Sequence, residues 1–300
     1  MSGFSAIDLS QLAAPDVVEQ IDYESILDAL KADLIARAPE LSDVLDLESE
    51  PLTKLLEVCA YRETIIRARV NDASRAVMLA YATGSDLDHL AAFFGVVRAL
   101  VTPADPDATP PVDAVYESDA RLRARTQLAL EGYSTAGPVG AYVYHALSAS
   151  AQVADVGVVS PDPGEVLVTV LSTEGDGTAD STLLDTVDAA LNADEVRPLT
   201  DHVTVQSATI IEYVVTAALT FYSGPDPTSV LAQASAALTD YISAHHRLGH
   251  DITRSGLFAA LHQPGVQNVT LDAPAADIAV DADAAPYCTA ITLTDEGTDL

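Results

Sequence analysis

The 300-residue chain is 49% hydrophobic and carries 45 acidic against 14 basic side chains, a formal net charge of −31 and a pI near 4.1. Only Lys31 and Lys54 are lysines, so broad affinity for phosphate backbones or anionic lipid is electrostatically disfavoured, and nucleic-acid and membrane partners are set aside. The positive mean hydropathy of +0.21 supplies enough apolar surface to offset chain entropy, so a folded chain of roughly two to three domains is expected.

The opening MSGFSAIDLSQLAAP lacks the basic start and apolar run of a secretory signal, and it reads as an extended arm ending at Pro15 in a chain that stays in the cytoplasm where it is made. Ile21, Ile26, Leu27, Leu30, Leu34 and Ile35 then recur at helical spacing until Pro39. A longer helix is expected from Pro51, with Glu48 and Glu50 complementing its N-terminal dipole. Leu52, Leu56, Cys59, Glu63, Ile66, Val70, Ala73, Val77 and Ala80 follow 4-3 steps, the heptad pattern of helices packed nearly parallel. The partner is open between another helix of this chain and a helix of a different chain. Gly84 is expected to end this helix, with Ser85 capping the next and Asp88 reciprocating, so Asp86 and Asp88 read as capping acids rather than a catalytic pair.

VTPADPDATPPV, within residues 101–114, reads as a Pro/Asp linker. Beyond it, helices are expected over 118–130 and 138–149. Valine-rich strands over 153–160 and 165–172 are joined as a hairpin by Pro161-Asp162-Pro163-Gly164. A helix through Leu183, Val187 and Leu191 and a strand at Val203 and Val205 complete the unit. Then Thr209–Tyr222 reads as a long strand broken by Gly224-Pro225-Asp226-Pro227, and Val230, Ala234, Leu238 and Ile242 mark an amphipathic helix. Gly140–Pro161 and Gly256–Pro274 echo one another as short helix, valine-rich strand and proline. The fold class is therefore α+β: an N-terminal helical bundle region over residues 1–100, the linker, and two small α+β modules over 115–208 and 209–300.

Signatures of chemistry are sparse. Gly175-Asp176-Gly177 has no third glycine and no Lys-Ser/Thr, and reads as a turn. No GxSxG or HExxH occurs. His245, His246 and His250 form the one candidate metal cluster, but Gly249 is expected to end the helix there, so the histidines suit the negative helix terminus better. Cys59 and Cys288 have no CxxC spacing and read as small buried hydrophobes. No catalytic, cofactor or metal site is expected. Nine of the fourteen bases fall between residues 50 and 130, and Arg62, Arg67, Arg69, Arg121, Arg123 and Arg125 are either interface forks for a partner's carboxylates or neutralise the chain's own acids.

Several strings resemble one family. Leu47-Glu48-Ser49-Glu50-Pro51, Ala60-Tyr61-Arg62-Glu63, Arg69-Val70-Asn71-Asp72 and Leu79 through Asp88 are similar to the N-terminal half of the baseplate assembly protein J family of contractile-tailed phages. Later landmarks are Glu117-Ser118-Asp119, Thr135-Ala136-Gly137, Ser160 through Gly164, Arg197 through Val203, and Leu248 through Ile252 with Ser255. The resemblance implies a non-enzymatic wedge component of the virion tail baseplate, assembled in the host cytoplasm. It implies a place in the ring around the central hub and a link to sheath contraction. Its partners would be other copies of itself, a tail protein I homologue, the small wedge protein adjoining the sheath, and the hub. The same physics fits a tail-derived bacteriocin or contractile injection system, and a cytosolic hydrolase is the competing class. Leu52, Leu56, Ile66, Val70 and Val77 are the expected bundle seam.

Overall fold

The computed structural model describes residues 7, 9–13, 15, 19, 21–133, 137–224 and 226–299. Most of the expected arm over residues 1–15 lies outside the described residues, as do Thr135, Ala136 and Pro225. The chain forms two compact units: residues 7–98 with 118–126, and residues 99–117 with 127–300.

The first unit is helical. Helix α1 (Tyr23–Arg37) is capped by Asp22, which accepts from the Glu24 N–H and the Ser25 hydroxyl. After the single turn α2 (Ser42–Leu45), α3 runs Pro51–Ala76 with proline in its first turn. Ile26 and Leu27 of α1 pack against Ala60, with Leu30 and Leu56 around them. The side chain of Asn71 forms two hydrogen bonds with the backbone of Glu19, donating to its carbonyl at 2.7 Å and accepting from its N–H at 3.1 Å.

Three local expectations change here. Helix α3 stops at Ala76, before the expected Ala80, because Val77 leaves helical geometry and Met78 N–H turns back to Arg75. Helix α4 spans Gly84–Phe93 after an extended Thr83, so Ser85 lies inside it and the expected capping box does not form. Its first N–H, from Gly84 at φ +54°, donates instead to Asp119 at 3.1 Å. Asp119 opens α5 (Asp119–Leu128). Cys59 is exposed and Cys288 half-buried, both less enclosed than their composition suggests.

In the second unit the expected linker is paired rather than free. Strands β1 (Leu100–Thr102) and β2 (Val115–Tyr116) run antiparallel. Beyond them Asp105 and Val112 exchange two 2.9 Å backbone hydrogen bonds, and the Asp105 carboxylate accepts from the N–H groups of Asp107 and Ala108. The prolines sit between these paired positions, where no N–H is required. Glu117, 4% exposed, closes the ribbon by accepting from the Ala99 N–H.

The middle module holds α6 (Val139–Ala149), β3 (Val153–Val159), β4 (Glu165–Ser172), α7 (Ser181–Leu191) and β5 (His202–Ser207). The sheet order is β3-β4-β5, antiparallel then parallel. The C-terminal module holds β6 (Thr209–Tyr222), α8 (Pro227–His245), α9 (Arg254–Leu261), β7 (Val266–Ala273) and β8 (Ala284–Asp299), in the order β7-β6-β8. The central strand β6 is antiparallel to β7 and parallel to β8. The two modules thus share a spatial plan with a permuted chain order: a central strand, an antiparallel neighbour that follows a short helix, and a parallel neighbour on the other side. Strand β6 points Val215, Ala217, Leu219 and Phe221 at Val230, Ala234 and Leu238 of α8, the period of two meeting the period of 3.6. Leu171, Ala208 and Ala285 form a small cluster shared by both modules, and Asp155 accepts from the Leu248 N–H.

Leu238 is fully buried, whereas Leu199, on the loop before β5, is 98% exposed. Leu238→Ala is expected to destabilise the second unit by about 2–5 kcal/mol, and Leu199→Ala by within roughly 0.5 kcal/mol. Urea midpoints of the two variants check both.

Candidate interaction surface

Helix α3 divides its residues in an unusual way. Against the rest of its unit it turns small and polar side chains: Thr53 at 2% exposure, Ala60 at 0% and Asn71 at 6%. To solvent it turns Leu55, Val58, Tyr61, Ile65, Ile66 and Val70, with Val77 following at its C-cap. Ile66 is 62% exposed. An ordinary amphipathic helix does the reverse. Of the expected seam, Leu52 is half-buried and Leu56 packs into the cluster with α1, whereas Ile66, Val70 and Val77 stand free of the core.

The outer stripe has an explicit shape. Arg62, Ile65, Ile66, Arg69, Val70 and Ala73 lie along it, following the i, i+3, i+4, i+7 spacing of one helical face. Ile65 was not among the expected seam residues, because the 4-3 heptad count steps past it; the helical stripe itself was there to be read. Among the described residues, Arg62 and Arg69 form no ion pair.

The other candidate arginines have different fates. Arg67 pairs with Glu63 at 2.6 Å and Glu19 at 3.1 Å, neutralising the chain's own acids. Arg123 and Arg125, candidates for either a partner's carboxylates or the chain's own acids, instead bond backbone carbonyls of their own unit. Arg123 donates to the carbonyls of Leu79 and Ala82, and Arg125, 6% exposed, donates to that of Val97. Orphan carbonyls after α3 and α4 need donors, and the guanidinium fork supplies several at once. Arg121 lies half-buried on the same helix.

The histidines fit their terminus. Helix α8 ends at His245, whose Nδ1 lies 2.8 Å from the Tyr241 carbonyl, and Nδ1 of His246 lies 2.7 Å from that of Pro286. Burial and then Arg247 push the His250 imidazole below its ordinary pKa. No group of three or more His, Cys, Asp or Glu among the described residues is placed to hold a metal ion. Likewise, no described helix is long and apolar enough to cross a membrane.

The architecture is that of an α+β protein with a helical N-terminal region and two small mixed-sheet modules. Three family descriptions match it in order: Baseplate J-like N-terminal domain over residues 48–105, Baseplate J-like central domain over 134–207, and Baseplate J-like protein C-terminal domain over 213–294. Baseplate protein J of Escherichia phage P2 is 52% identical over 298 residues, covering 98% of this chain and 99% of that protein. A chain in the cryo-EM structure of the anti-feeding prophage baseplate is similar at a TM-score of 0.40 and 14% identity over 59% of this chain, which spans 43% of that one. The chain belongs to the Baseplate J-like protein family.

A charged clasp secures the helical unit. Arg98 pairs with Asp88 at 2.6 Å and Asp119 at 2.7 Å, while the second oxygen of Asp119 accepts from Gly84. The Gly84 N–H, and then the charges of Arg98 and Arg123, hold the Asp119 carboxyl below its ordinary value against the opposing effect of burial. A depressed folded-state value stabilises above the unfolded carboxylate value of about 3.9 and is lost as pH falls through the folded value. Asp119→Asn is therefore expected to lower the melting temperature of the helical unit at pH 7. The gap to the wild type should narrow as pH drops below about 4, as thermal melts followed across pH would show.

Proposed function

We propose that this chain is a structural wedge component of a contractile-tail baseplate and that α3 is its docking element. The near-complete 52% identity to Baseplate protein J of phage P2 supports the baseplate role. The single observation that carries the docking role is the exposed apolar stripe of α3, which lies within the residues matched as the family's N-terminal domain. In this reading Ile66, Val70 and Val77 enter an interchain helix bundle whose members include a tail protein I homologue. The two α+β modules make the lateral contacts of a ring around the central hub, and the small wedge protein adjoining the sheath completes the connection. Assembly takes place in the host cytoplasm and the protein ends in the virion tail. The role is architectural. Contraction would proceed by exchange between two arrangements of packed surfaces rather than by a chemical step, which favours modest, arginine-bearing contacts over large greasy ones.

Ile66→Asp combined with Val70→Asp buries two carboxylates in such a bundle and should block incorporation, leaving particles without baseplates in electron micrographs. Normal baseplates containing that variant would contradict the docking role of α3. Charge gives a second check. With 23 acids against three bases after residue 130, like-charged modules around a ring repel unless salt or a basic neighbour intervenes. Ring assembly from purified components is expected to weaken at about 10 mM salt relative to about 150 mM, where the Debye length shrinks to about 8 Å. Equal assembly at both, with no basic partner, would contradict this electrostatic account.

A further inference from the structure

Two stretches that read in sequence as bare punctuation meet across the seam between the α+β modules. One is the turn Gly175-Asp176-Gly177 after β4 of the middle module. The other is the segment His245 through His250 that links α8 to α9 in the C-terminal module. The carbonyl oxygens facing Nδ1 of His245 and His246, those of Tyr241 and Pro286, can only accept, so each imidazole donates from Nδ1 and leaves Nε2 open to a proton. Nε2 of His246 lies against the turn. A Cβ on Gly177 would stand 3.0 Å from it and 2.6 Å from Leu171 Cδ1, and the φ of +98° is itself a glycine conformation, so this residue admits the imidazole on two counts.

The rest of the segment is fixed to the same neighbours. Leu248 N–H donates to the Asp155 carboxylate of β3 at 3.0 Å, the Leu248 side chain packs with Leu171, Ala208 and Ala285, and Gly249 N–H donates to the Ala284 carbonyl at 3.0 Å. On the side of the turn, His246 faces Asp176. Hydrogen bonds from Thr178, and more weakly His246, hold that carboxyl below its ordinary value against the opposing effect of burial. Glu174 nearby accepts from the Gln152 amide at 2.7 Å. On the side of β8, His246 meets the ring of Tyr287, with centroids 5.6 Å apart, and its own segment contributes His245, Arg247 and His250.

We propose that His246 and Asp176 form a proton-gated clasp between the two modules. Between pH 8 and about 5.5, the range in which histidine gains its charge, a solvent proton adds to Nε2 of His246 while the Nδ1 donor to Pro286 is kept. The imidazolium then attracts the Asp176 carboxylate across the seam, and the seam is held more firmly in acid. His250 acts in the opposite sense. It faces Arg247, Asp155, His245 and Asp251, and burial followed by Arg247 keeps its imidazole below the ordinary value, so it costs stability as pH falls below the unfolded histidine value of about 6.5. The clasp is therefore read as the coupling between His246 and Asp176, not as the sign of the whole-protein pH profile. A single proton thus biases the joint between two packed modules.

Native-state hydrogen exchange of the full-length chain tests this at the Leu248 amide, whose acceptor belongs to the other module. Protection factors, with intrinsic exchange rates divided out, are compared for the wild type, His246→Gln, Asp176→Asn and the double variant at about pH 5.5 and about pH 8. Circular dichroism confirms that each is folded. Asn at 176 can still accept from Thr178, and Gln at 246 can still donate to Pro286. At the lower pH the two substitutions are expected to be coupled, the double variant losing about two- to fivefold less protection than the product of the single losses. At the higher pH the coupling vanishes. No coupling in acid, or equal coupling at both pH values, would overturn the proposal. Should His246→Gln fail to fold, the wild type against Asp176→Asn decides alone: a loss of protection larger in acid supports the clasp, and an equal loss at both pH values, or none at either, overturns it.

Discussion

The inversion of α3 is the constraint on which the rest of this molecule turns. Thr53, Ala60 and Asn71 face the chain's own interior, whereas Ile65, Ile66 and Val70 face water. Small inward residues let α1 lie close against α3, with Ile26 and Leu27 over Ala60. The apolar surface left outside carries a hydration cost of roughly 25 cal/mol for every Å² that a partner would cover. A helix of 26 residues built this way is held in place by its own unit and leaves an apolar face exposed.

Electrostatics follows the same division. The helical region carries most of the bases of a strongly acidic chain, and the structure commits many of them internally. Arg98 joins Asp88 to Asp119, Arg67 joins Glu63 to Glu19, and Arg123 and Arg125 brace backbone carbonyls. Among the described residues of α3, Arg62, Arg69 and Arg75 form no ion pair, and the first two flank the apolar knobs. In a chain of net charge −31, two such arginines form a local positive feature, and it coincides with the exposed isoleucines.

Much of the fold was legible in sequence because its signals are local. The hairpin from β3 to β4, the span of β6 and the amphipathic face of α8 all follow from periodicity and turn chemistry within one element. What escaped depends on distant partners. The N-terminal cap of α4 comes from Asp119, 35 residues further on, so Ser85 was the natural but mistaken choice. Strand β8 was not anticipated, since its residues include Pro286, Gly297 and three acids near its end, and among the described residues it pairs in parallel with β6, some 75 residues earlier. The proline-rich ribbon was read as a linker because the Asp105–Val112 pairing has no sequence signature. The α3 seam was visible as a heptad pattern, but periodicity cannot say which side of a helix faces home. Leu56 turned inward and Ile66 outward along the same count.

The two α+β modules give a chain whose lateral surfaces are fixed by buried sheets, and the helical unit gives it an apolar face that stays open. That open face is what the proposed docking role of α3 rests on. The most direct measurement is site-specific photo-crosslinking in assembled particles, with a photoreactive side chain at position 66 and, as a control, at the buried position 60. The account predicts that position 66 yields a covalent product between two chains, whereas position 60 yields none. A product confined to a single chain at position 66, in particles that have assembled normally, would contradict it.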